Sequence, residues 1–306
     1  MELIPLKEIN QRAADDPTAF IAECESAYDR RIKGAGDLIA SNIKQKPMLL
    51  LSGPSSSGKT TTARRITEYL LEKGIGSHVV SMDDYFLDVN EDTPRNQNGE
   101  YDFESPFCVD SELLKDHIHR LSRGEEVMVP RYDFPNQRRA DNGVPLRIGQ
   151  NEVVVFEGIH ALNVSVTGDV YDKALEIYTR VASQVTADDG SLFFAKSRVR
   201  LTRRIVRDRQ FRGTDATATL DMWENVRAGE HKHIVPFSDL ADIEIDSFLP
   251  YELGVLGGMA LKAIEGVGEG CKGVRYAEEL GLKLPMFETI DRALVPERSI
   301  LKEFVG

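Results

Sequence analysis

Residues Gly53-Pro54-Ser55-Ser56-Ser57-Gly58-Lys59-Thr60 complete the pattern G-x-x-x-x-G-K-[ST]. Backbone N–H groups, a lysine and a hydroxyl at that spacing suit a polyphosphate and its metal ion. Lys59 brings a mobile positive charge for the β- and γ-phosphates, and Thr60 a hydroxyl for Mg²⁺. The motif works only where a loop leaves a buried strand and opens a helix, because the free N–H groups and the positive end of the helix dipole then converge on one point. Both requirements are met: the apolar run Met48-Leu49-Leu50-Leu51 precedes the loop, and a helix-forming run from Thr61 to Lys73 follows it. Gly53, Ser55, Ser56, Ser57, Gly58, Lys59, Thr60 and Thr61 are therefore the candidate ATP-binding residues.

Further chemistry gathers where other strands should end. Asp83 follows the apolar run His78-Val79-Val80-Ser81, and in open α/β sheets ligands bind beyond the carboxyl ends of the strands. A carboxylate there could take the proton of an attacking hydroxyl, bind Mg²⁺ through water, or simply cap a helix, and Asp84 competes for each role. Glu157 ends Val153-Val154-Val155-Phe156 and is placed to serve Mg²⁺ or orient its water. The run Arg198, Arg200, Arg203, Arg204, Arg207, Arg209 and Arg212 is dense for a chain of net charge -12, with Arg200, Arg203, Arg204 and Arg207 on one helical stripe. It is expected to be a lid that closes on transferring phosphate. His117-Ile118-His119 and His231-Lys232-His233 lack a further ligand nearby and are expected to be structural or solvated.

Positioning these groups requires a series of elements. Strand, helix and strand from Leu49 to Ser81 make a βαβ unit. Residues 88 to 107 carry Asn90, Asp92, Pro94, Asn96, Asn98 and Gly99 and read as a long active-site loop. A helix is expected over Glu112 to Arg123, and a strand from Glu126 to Pro130 that runs into Arg131-Tyr132-Asp133-Phe134-Pro135. Further strands are expected at Val153 to Phe156, Leu175 to Tyr178 and Ala241 to Ile245, with the basic helix at Arg198 to Phe211. Asp16-Pro17-Thr18 starts a helix reaching about Asn42, with Gly34 and Gly36 expected to break it. From Tyr251 onward the pattern is helical, interrupted at Gly254, Gly257, Gly258 and Gly266 to Gly270.

Bulk properties narrow the function classes. The 306 residues, 41% hydrophobic and 29% charged, suit one large α/β domain with appendages or two small domains. A net charge of -12 argues against nucleic acid as the main partner. Cys24, Cys108 and Cys271 are scattered, as expected in a reducing compartment. No apolar run approaches the roughly 18 residues of a membrane span, and Met1-Glu2-Leu3-Ile4-Pro5 lacks a signal-peptide pattern. The expectation is a cytoplasmic protein without a membrane partner, with a homo-oligomer as one open assembly state.

In six motifs, taken in order, the chain resembles the uridine kinase and phosphoribulokinase family of P-loop kinases. They are the Gly53 to Thr60 loop, Ser81-Met82-Asp83-Asp84-Tyr85-Phe86, Tyr101-Asp102-Phe103-Glu104-Ser105-Pro106, Pro130-Arg131-Tyr132-Asp133-Phe134, Phe156-Glu157-Gly158-Ile159 and Arg203-Arg204-Ile205-Val206-Arg207-Asp208. The resemblance implies a P-loop NTPase-type parallel sheet flanked by helices, with an Arg-rich helical lid, over 47–250, and helical extensions at 1–46 and 251–306. It implies ATP and Mg²⁺ as cofactors, Asp83 as catalytic base and Mg²⁺ partner, and Thr60 and Glu157 serving Mg²⁺. Arg204, Arg207 and Arg212 would belong to the lid, Asp102 would touch the acceptor's ribose hydroxyls, and Tyr132 and Phe134 would frame its base. Gln137 stands where such kinases usually have a pyrimidine-reading histidine, Thr214 where the lid usually has a second arginine, and Met222 where a glutamine is expected. These departures predict weak use of uridine. The segments outside the small kinases resemble the longer bacterial uridine kinase-like proteins, without their N-terminal synthetase-like domains. The implied activity is phosphoryl transfer to a hydroxyl of a nucleoside or small polyol. A sugar phosphate or other alcohol as acceptor, or a regulator that holds ATP without turnover, are the alternatives.

Overall fold

The computed structural model describes residues 2–96, 99–170 and 172–306; Asn98 of the expected loop lies outside them. Five strands form one all-parallel sheet in the spatial order Ile243–Asp246, Ala174–Arg180, Met48–Ser52, Glu152–Glu157, Gly76–Ser81. Met48–Ser52 is buried along its whole length, as its unbroken apolar run requires of a central parallel strand. From it the chain first crosses to the Gly76–Ser81 edge, returns to insert Glu152–Glu157, and only then builds outward on the other side. The direction of winding reverses at Met48–Ser52, which puts a crevice at the carboxyl end of that strand.

Alternation along the strands splits the interior in two. Leu49, Leu51, Val153, Val155, Leu175 and Ile177 face one core, filled by the helices Pro17–Asn42, Lys59–Glu72, Lys196–Phe211 and Glu252–Ile264. Met48, Leu50, Val154 and Phe156 face the other, which is covered by the helix Ser111–Ser122. Residues near both ends of the chain, from Ile4 to Val305, enter the first core.

Asp16 accepts a hydrogen bond from the Ala19 N–H at 2.9 Å and Pro17 opens the helix, as the sequence signals. The expected break at Gly34 and Gly36 is absent: the helix runs unbroken to Asn42. Gly36 serves contact instead, since a Cβ there would lie 2.3 Å from the Tyr69 ring on the phosphate-loop helix. Gly254, Gly257 and Gly258 likewise sit inside the continuous helix Glu252–Ile264, where Gly254 lets the Glu288 carbonyl approach. A short strand not expected from sequence, Leu3–Pro5, pairs in parallel with Gln184–Thr186, which also pairs with Leu192–Phe194.

Candidate active site

The loop from Gly53 to Gly58 joins the central strand to the helix Lys59–Glu72. Gly53 is required by space, because a Cβ would lie 2.1 Å from the Thr179 carbonyl oxygen. Gly58 is required by conformation, with φ +83°, and Ser56 also takes a left-handed φ of 57°. Successive N–H groups in such a turn make an anion-binding concavity. The Ser56 and Ser57 hydroxyls are buried and lack hydrogen-bond partners among the described residues. Lys59 Nζ folds over the loop and donates to the Pro54 carbonyl at 3.2 Å. Free donors, a positive φ and a lysine arched across them fit a phosphate chain.

Thr60 Oγ1 donates to Glu157 Oε1 at 3.4 Å, so loop and strand end meet at one point. Glu157 lies in register with Leu51 on one side and Ser81 on the other. Burial pushes its pKa up to about 7, with Lys59 opposing and Asp83 and Glu303 adding to the rise.

The two aspartates after the neighbouring strand have different surroundings. Asp84 is engaged in structure: its Oδ1 accepts the Tyr132 N–H at 3.0 Å and its Oδ2 pairs with Arg131 at 3.5 Å. Asp83 opens onto the cleft, accessible from it yet enclosed by protein. That enclosure raises its pKa, against the pull of Lys59 and Arg212 and with the repulsion of Asp84.

The arginine helix requires a correction. Arg200 and Arg203 are not part of a lid, because both are buried ion pairs. Arg200 bonds both oxygens of Glu230 at 2.5 and 2.7 Å, and Arg203 bonds both oxygens of Glu252 at 2.6 and 2.9 Å. Each also holds the phosphate loop from behind, through the Ser55 carbonyl at 3.0 Å and the Ser56 carbonyl at 3.3 Å. Arg204, Arg207 and Arg212 do line the cleft. They share one buried carboxylate, Asp208, at 3.3, 2.7 and 3.7 Å, and Arg204 also reaches Ser55 Oγ at 2.8 Å.

Asp102, Tyr132, Phe134 and Gln137 line the outer part of the same cleft, whose volume is about 1620 Å³. Tyr132 and Phe134 meet edge to face with centroids 5.1 Å apart. Gln137 takes a left-handed φ of 53° and its carbonyl accepts the Val89 N–H at 3.1 Å, tying the 88–107 loop to this wall. Among the remaining lining residues is Glu104, which the sequence reading passed over. Its Oε2 is shielded from solvent and accepts no hydrogen bond among the described residues, and burial lifts its pKa to about 7. The one signal in the sequence was its place in the Tyr101 to Pro106 motif. The histidine pairs lie on helices: His117 bonds the Tyr85 hydroxyl at 2.9 Å, and His231 contacts Arg227 at 3.1 Å.

Comparison with known proteins identifies the family. The model of the phosphoribulokinase / uridine kinase family matches residues 48–251, and the chain belongs to that family of kinases. A uridine kinase of Halobacterium salinarum is 32% identical over 197 residues, covering 64% of this chain and 77% of the relative. One of Leuconostoc citreum is 27% identical over 200 residues, covering 65% and 86%. Among solved structures, a putative fructose transport system kinase from Silicibacter aligns over 69% of this chain and 94% of its own, at 20% identity and a TM-score of 0.45. No helix among the described residues is long and apolar enough to cross a membrane.

Proposed function

We propose that the protein transfers the γ-phosphoryl group of ATP to a hydroxyl of a nucleoside or related small polyol. The observation that carries this is Asp83. Its carboxylate opens on the cleft between the phosphate loop and an aromatic wall, while Asp84 is spent on structure. In this reading the Gly53 to Thr61 loop binds the phosphates, and Asp83 accepts the acceptor's proton, a task its raised pKa suits. Lys59, Arg204, Arg207 and Arg212 offset charge developing on the transferring group. Thr60 and Glu157, with Asp83 nearby, would hold Mg²⁺, which when bound neutralises phosphate charge. No group of three or more His, Cys, Asp or Glu among the described residues is arranged to hold a metal alone.

Asp102 and Glu104 would meet the acceptor's hydroxyls, with Tyr132, Phe134 and Gln137 framing the rest. A nucleoside-like acceptor is favoured over a sugar phosphate because the only Lys or Arg side chains lining the cleft among the described residues are Lys59, Arg204, Arg207 and Arg212. All four are assigned to the donor phosphates, leaving no cation for a second one. Residues 47–250 carry this chemistry, with 1–46 and 251–306 as extensions.

The test is an ADP-release screen over nucleosides, polyols and sugar phosphates with the wild type, Asp83→Asn and Asp84→Asn. Asp83→Asn is expected to lose about 10²- to 10⁴-fold in turnover with ATP affinity unchanged, and Asp84→Asn to lose less. The reverse order would assign the base to Asp84. ATP binding with no ADP release on any acceptor would favour the regulator.

A further inference from the structure

The described residues near the chain's end reach the phosphate loop. Glu303 Oε2 accepts the Thr61 hydroxyl at 2.8 Å and lies 3.4 Å from the Thr61 N–H, in the first turn of a helix that has no other side-chain cap. Its backbone is fixed. Ile300, Leu301 and Phe304 are fully buried, Phe304 sits under the Arg203 guanidinium with 5.2 Å between group and ring centre, and the Val305 carbonyl accepts from Gln210 at 3.2 Å. Ile300 also packs on the loop itself, where a Cβ on Gly58 would lie 2.2 Å from its Cδ1. The Glu303 side chain is only half-buried and lines the cleft, so it can swing while the segment that carries it stays in place.

We infer that Glu303 is an internal stand-in for a nucleotide phosphate, a donor-site residue that holds the Thr61 donors in the empty enzyme and must release them before nucleotide binds. The inference rests on the ATP reading above. The N–H and hydroxyl that Glu303 occupies belong to the loop and helix start that would cradle the phosphates, and one carboxylate oxygen takes both. A phosphate oxygen and a carboxylate cannot share them, because like charges at that distance repel and the donors are few. The side chain therefore competes with ATP and ADP alike. If the donors are free about one-tenth of the time, apparent affinity for either nucleotide drops about tenfold.

Calorimetric titration of ATP and of ADP into the wild-type protein, Glu303→Gln and Glu303→Ala, each with Mg²⁺ and with EDTA, tests this. Glutamine removes the charge and alanine the occupant. Both variants are expected to bind both nucleotides about tenfold tighter than wild type, with and without the metal. Melting curves of the ligand-free forms check that both variants fold. Equal affinities would overturn the inference, since the side chain would then leave at no cost. Weaker binding confined to the Mg²⁺ arm would also overturn it, by making Glu303 a metal ligand. Binding of neither nucleotide by any form would overturn the ATP reading itself, and this inference with it.

Discussion

Two groups of arginines on and just after the helix Lys196–Phe211 serve opposite purposes. Arg200 and Arg203 each meet one carboxylate of their own, Glu230 and Glu252, and these pairs are buried. One charge cancels one, and what remains is a rigid support behind the phosphate loop. Arg204, Arg207 and Arg212 share the single carboxylate of Asp208 and line the cleft. Three charges share one paired acid. The number of acids within reach decides the role, and the arginine spacing does not reveal that number.

Removing a support should cost the most stability. Arg203→Ala leaves Glu252 buried and unpaired, for an expected loss of about 3 to 5 kcal/mol in unfolding free energy, read by chemical denaturation. Arg203→Met combined with Glu252→Leu should recover most of it, because the pair's desolvation penalty disappears with its attraction. If the single variant is as stable as wild type, the two groups of arginines do not differ in the way described.

Arg207→Ala should separate the two groups in the other direction. Turnover is expected to fall about 10²- to 10³-fold, as for a lost donor to developing charge, while stability stays within about 1 kcal/mol, since Asp208 keeps Arg204 and Arg212. A large stability loss with modest loss of rate would make this group structural too.

A further expected effect concerns a carboxylate without an arginine of its own. Glu157 has its pKa raised from 4.5 to about 7 by burial. The folded chain then keeps a proton that the unfolded chain releases, so this contribution to stability is complete below about pH 4.5 and lost as pH rises through about 7. Over that window the melting temperature of the ligand-free wild type should fall relative to Glu157→Gln. Parallel melting curves would show that the group titrates as an exposed acid.

Much of the fold and part of the site were legible in the sequence. The phosphate loop, Asp83 and Glu157 each follow an apolar strand, and local patterning is enough to place a residue at a strand end. Glu230 and Glu303 were not legible. Each is a lone acid in a helical stretch, and they reach the loop across 175 and 242 residues of chain. No periodicity encodes such a meeting. The same holds for Arg200 and Arg203, whose acids lie 30 and 49 residues further on. Gly36 was misjudged because a helix breaker and a close-contact residue look alike until Tyr69 is seen to pack on it.

The all-parallel sheet also has a consequence for how the chain reaches its native state. No two of its neighbouring strands can be joined by a tight hairpin, since parallel partners need a crossover. In the separate three-stranded sheet, Leu3 finds its partner at Gln184, and the Glu2 N–H reaches Ser183 across 181 residues. The entropy of closing such loops is lost before any contact rewards it, so assembly should run slowly for a domain of this size. The apolar strands Met48–Ser52 and Glu152–Glu157 stay exposed in the meantime, and refolding yield should fall as protein concentration rises.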